Sequence, residues 1–101
     1  MKNFVLDGHV ADVLLVAART DKGVSLFQVG GDADGVTRTL LPTLDQTRKL
    51  ARIEFDNARA THIGSGGDLT AALDKVVALA AVGQAVEQVG GAQRCLEIAT
   101  E

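Results

Sequence analysis

The residues of this 101-residue chain best suited to chemistry are two histidines, one cysteine, thirteen acids and a run of glycines. His9 sits in a turn and His62 near the end of an expected strand, without the short spacing that brings ligands onto one metal, so both read as solvated histidines. Asp32, Asp34 and Asp45 are placed too irregularly for a calcium loop and read as exposed turn acids. Gly64-Ser65-Gly66-Gly67 precedes a helix, and helix N-termini bind anions. It has neither the Lys-Ser/Thr ending of a phosphate loop nor the dinucleotide glycine spacing, so it reads as a linker. Cys95 has no partner for an internal disulfide, which fits a reducing compartment, and it is expected to be a small buried apolar residue. No residue of the chain stands out as a catalytic acid, base or nucleophile.

The elements that position these residues change character along the chain. Short apolar runs broken by turn residues fill the first two thirds, the pattern of antiparallel strands joined by hairpins. Phe4 to Leu6 stops at Asp7-Gly8. Val13 to Ala18 is apolar without alternation, which predicts a strand covered on both faces, and Asp21-Lys22-Gly23 turns it back onto Val24 to Val29. Gly30 to Gly35 is a loop, and Val36 to Leu41 is a strand ended by Pro42. In the next strand Lys49, Ala51, Ile53 and Phe55 share one face, with Arg48, Leu50, Arg52 and Glu54 on the other. Ala60 to Ile63 adds a short last strand.

After residue 67 the chain is helical: Asp68 is the expected N-cap, and no proline occurs from Leu69 to Glu101. A helix of that length spans roughly 50 Å and overhangs any sheet of this size. Val76 to Gly83 is apolar around the whole circumference, which implies burial on all sides by helices that this chain does not supply. Gly90-Gly91 costs about 1 kcal/mol per glycine in a helix interior, so close helix packing is the expected compensation. With no closing Gly, Asn or Pro at Ile98 to Glu101, the chain reads as part of something larger. The resulting class is α+β: a mainly antiparallel β domain over 1–63, a linker at 64–67 and one long helix over 68–101.

Composition narrows the partners. A net charge of −3, with Arg48, Lys49 and Arg52 as the only basic cluster, argues against nucleic acid. Those three residues suit either a CoA phosphate or a charged strand edge that discourages aggregation. Neither an apolar leader nor a membrane-spanning run is visible, so the expected location is the cytoplasm.

Four stretches taken in order carry a resemblance. They are Lys2 to Gly8 with Ala11 to Arg19, then Gly23 to Val29, then Asp45 to Asp56, and finally Val89 to Glu101. Their order and spacing resemble the acyl-CoA dehydrogenase family, from half of its middle β-barrel into the first helix of its C-terminal helical domain. The resemblance implies an FAD-dependent oxidoreductase that forms a 2,3-double bond in an acyl-CoA thioester. A carboxylate would take the α-proton and flavin N5 the β-hydride. The acyl group would be a fatty, branched or sterol side chain. The family's glutamate base lies downstream of the stretch matched here, so the chain alone is expected to be inactive.

The resemblance also implies partner subunits, in a homo- or hetero-oligomer, and electron-transfer flavoprotein or a similar acceptor. One site motif carries over. Where the family has Trp-Ile/Val-Thr/Ser against the flavin, this chain has Phe4, Val5 and Leu6. Phe4 keeps the apolar contact, but Leu6 lacks the hydroxyl donor. The family also commonly carries an arginine near the position of Ala81. Both departures fit a second reading, a non-catalytic structural subunit or oligomerisation module of a hetero-oligomeric member.

Overall fold

The computed structural model describes residues 1–101. Six strands and one helix follow in the order β1 (Lys2–Leu6), β2 (Val13–Thr20), β3 (Gly23–Gly30), β4 (Val36–Leu41), β5 (Leu50–Phe55), β6 (Thr61–Ile63) and α1 (Thr70–Thr100). The chain is α+β, with all strand pairs antiparallel. It forms two compact units, 1–67 and 68–101.

The first unit holds two open three-stranded sheets, ordered β1-β5-β4 and β2-β3-β6. Strand alternation decides what meets between them. On the first sheet Ala51 and Ile53, 0% and 1% exposed, face inward, joined by Val5, Val36 and Phe55. From the second come Leu14 and Val29, adjacent partners in the β2–β3 register, with Val16 packed against them. These side chains form one apolar cluster, and Ile53 is its only large side chain removed from water completely.

Two cations tie the layers by donating to backbone carbonyls. The Lys2 Nζ donates to the Ala17 carbonyl at 2.7 Å, joining β1 to β2. Half-buried Arg38 of β4 donates from Nη1 to the Ala11 carbonyl at 3.1 Å. Gly31 passes so close beneath this bond that a Cβ there would lie 2.0 Å from the Ala11 oxygen, and only glycine fits.

β2 is not covered on both faces, as its unbroken apolar run predicts. Leu14 and Val16 point into the cluster, but Val13 and Leu15 on the opposite face are exposed. The strand pairs only with β3 and has a single sheet layer against it, so half of its side chains have nothing to meet.

In the second unit Leu69 takes the N-cap backbone position. Asp68 serves the helix start from one residue earlier, its Oδ1 accepting from the Thr70 N–H at 3.1 Å and the Thr70 hydroxyl at 2.7 Å. No residue of α1 is buried. Val76, Val77, Leu79 and Val82 are exposed, and nothing lies near a Cβ built at Gly83, Gly90 or Gly91. Cys95, expected inside, is a free exposed thiol for the same reason. No helix is long and apolar enough to cross a membrane.

Candidate functional site

The Phe4, Val5 and Leu6 motif comes to rest on β1, at the edge of the first sheet. β1 pairs with β5 through Lys2↔Ile53, Val5↔Ala51 and Leu6↔Leu50. Two residues separate Lys2 from Val5 while one separates Ala51 from Ile53, so Asn3 and Phe4 together oppose Arg52 in a β-bulge. The extra residue is absorbed at Phe4, whose φ of 57° lies in the left-handed region. For a bulky side chain that backbone costs about 1–2 kcal/mol, and such strain concentrates at functional positions.

Alternation then sorts the three motif residues. Val5 packs inward against the core cluster, so only its backbone is available to a ligand. Phe4 and Leu6 remain 72% and 56% exposed. Leu6 opens a row that crosses the sheet: it pairs with Leu50, which pairs with Leu41 on β4. Phe4 therefore stands one register step from a strip of three leucines, with Arg52 opposite it. A planar apolar ring system has a matching surface there, with exposed Arg52 opposite the bulge as a cation of the same sheet. Leu6 offers no hydrogen-bond donor to such a ring.

Sequence reasoning placed Leu50 and Arg52 on a common face of β5 but did not join that face to Phe4. The signal that would have joined them is the pairing of β1 with β5, which is long-range. No glycine near Phe4 marks the bulge.

The other candidates stay apart from this strip. His62 lies on β6, exposed, with its ring edge-on to Phe27 at 5.4 Å and 82°. His9 departs from the expected solvated state: it is half-buried and its Nδ1 is buried without a hydrogen-bond partner. The turn from Asp7 to Ala11 folds tightly, Val10 and Ala11 both donating to the Asp7 carbonyl, and this draws His9 in. No group of three His, Cys, Asp or Glu side chains is placed to hold a metal ion.

Asp45 is an exposed turn acid, as expected, and it organises its own loop. Its Oδ1 accepts from the Thr47 hydroxyl at 2.6 Å and from the Thr47 N–H at 2.8 Å. The hydroxyl bond first, then the backbone bond, holds the Asp45 carboxyl below its ordinary value of 3.8. Gly64, Gly66 and Gly67 all have positive φ and open space around them, the geometry of a connecting segment.

Comparison with known proteins found no matching family model, no matching curated protein and no matching solved structure.

Proposed function

We propose that this chain is part of the middle β domain and the first C-terminal-domain helix of a flavin-dependent acyl-CoA dehydrogenase, which dehydrogenates an acyl-CoA thioester between its α and β carbons. The observation that carries the reading is the bulge at Asn3 and Phe4. It leaves the Phe4 ring and Leu6 exposed beside half-buried Leu50 and Leu41, an apolar surface that suits the flat ring contacted by the resembled motif. FAD, when bound, supplies the hydride acceptor for the β-hydrogen. On this reading Phe4 and Leu6 provide van der Waals contact to one ring face and keep water from it, with Val5 adding its backbone alone. The proton-abstracting carboxylate comes from elsewhere in the assembly, as do the walls of the acyl pocket. Electron-transfer flavoprotein or a similar carrier would reoxidise the cofactor.

A structural-subunit reading is favoured by a separate observation. Leu6 supplies no donor where the family has a hydroxyl, and α1, none of whose residues is buried, presents a largely exposed apolar surface for other helices.

One experiment separates the two. The intact gene product is purified with the products of neighbouring genes, and its visible absorbance and acyl-CoA-dependent dye reduction are measured. The dehydrogenase reading requires flavin absorbance that bleaches with an acyl-CoA. A colourless assembly that reduces no dye with any acyl-CoA sinks it.

A further inference from the structure

The strongest feature outside the Phe4 strip lies on the other side of the first sheet, in the mouth between the two sheets. A cleft of about 490 Å³ opens there. Val16, Ala18, Phe27, Val29, Phe55 and Ala58 give it apolar walls, and Lys2 and Arg19 stand at its rim without any acid among the lining residues. The register explains the walls: Val16 pairs with Phe27, so both point inward beyond the last buried pair, Leu14 and Val29. Past that pair the space between the sheets stays open, with Phe27 and Phe55 on its walls.

We propose that this cleft binds an anionic amphiphile, a medium-chain carboxylate whose tail occupies the inter-sheet space and whose head meets Lys2 and Arg19. Three properties fix the class. Its volume is that of a small-ligand site, enough for the tail of a ten-carbon acid. Its walls exclude a polar ligand, since hydrated groups would lose partners there. Its rim carries only positive charge. The Lys2 ammonium spends one N–H on the Ala17 carbonyl, which fixes it with donors to spare for the head group, and exposed Arg19, whose residue also lines the cleft, adds a second positive charge nearby. The site does not depend on the flavin reading, because the Phe4 strip and the cleft occupy opposite faces of the first sheet.

The test is amide NMR of the full chain titrated with decanoate, and separately with decyltrimethylammonium, each below its micelle threshold. Decanoate should move the Val16, Phe27 and Ala58 amides with saturation, and the cationic analogue should bind about tenfold more weakly or worse. Arg19→Glu, at an exposed position that leaves the fold intact, should weaken decanoate about tenfold. Ala60→Phe, at the cleft edge, should block it without touching the charge. Equal binding of the two detergents, shifts confined to α1, or unchanged affinity in Arg19→Glu overturns the proposal. Concentration-dependent shifts of the same amides without ligand would also overturn it, by showing that a second copy fills the cleft.

Discussion

The left-handed backbone at Phe4 yields a prediction in which the sign, and not only the size, is informative. Phe4→Ala and Phe4→Gly remove nearly the same side chain, and because Phe4 is largely exposed, both lose little packing. They differ in the backbone. At φ 57° alanine keeps the left-handed penalty and glycine does not. That penalty is about 1–2 kcal/mol, and glycine gives back about 0.5–1 kcal/mol through the greater freedom of its unfolded chain. The glycine variant should therefore be more stable than the alanine variant by about 0.5–1 kcal/mol, the reverse of the order at a regular strand position. Urea unfolding followed through the Ala51 and Ile53 amide signals reads the β unit alone. With a slope near 2 kcal/mol/M, the midpoint should rise by roughly 0.3–0.5 M from alanine to glycine. An alanine variant as stable as the glycine variant, or more so, would mean that the bulge is not where the chain absorbs its extra residue.

Other substitutions test the remaining supports. Ile53→Ala empties the only large fully buried side-chain position and should cost about 2–5 kcal/mol, enough to collapse the amide dispersion of the β unit, whereas Leu15→Ala on the exposed face should stay within about 0.5 kcal/mol in the same unfolding assay. Gly35→Ala puts a Cβ 2.0 Å from the Asp56 carbonyl oxygen at φ 80°, so strain and overpacking together should cost about 2–5 kcal/mol; a wild-type unfolding midpoint would refute the close approach. Thr47→Val removes the hydroxyl that dominates the Asp45 shift, so the Asp45 carboxyl should titrate nearer its ordinary value by carbon NMR. Because the folded carboxyl is depressed, its contribution to loop order is present above the unfolded value of 3.8 and is lost as pH falls through the folded one; in the variant that contribution should be smaller and its loss complete at a higher pH.

What the sequence made legible was local. Asp21-Lys22-Gly23 announced the β2–β3 hairpin, which forms in the register its turn dictates, and the alternation Ala51, Ile53, Phe55 against Arg52, Glu54 gave the inward face of β5 directly. The break at Gly64 to Gly67 likewise separated strands from helix. Long-range facts were not legible. Nothing in Val13 to Ala18 says that only one face will be covered, since an apolar run reports a tolerance for burial and not the number of layers available. The same limit misplaced Cys95, whose helix has an apolar surface and no buried residue. His9 was read by its turn position, which gave no hint that the turn would tighten around it. For the candidate site, the three motif residues were in hand, but their sorting into outward Phe4 and Leu6 and inward Val5 depended on a bulge with no glycine to mark it.

The strand order β1-β5-β4 has a consequence for the chain as it leaves the ribosome. β2 can pair with β3 as soon as their hairpin emerges, because the partners are neighbours in sequence. β1 is made before the other strands and must wait for a distant partner: Lys2 pairs with Ile53, 51 residues later. At about 5–20 residues per second, β1 waits roughly 3–10 s with Phe4, Val5 and Leu6 unpaired, an apolar strand edge on display. During synthesis, then, the segment proposed to meet a flavin is one that chaperones and other nascent chains can reach first.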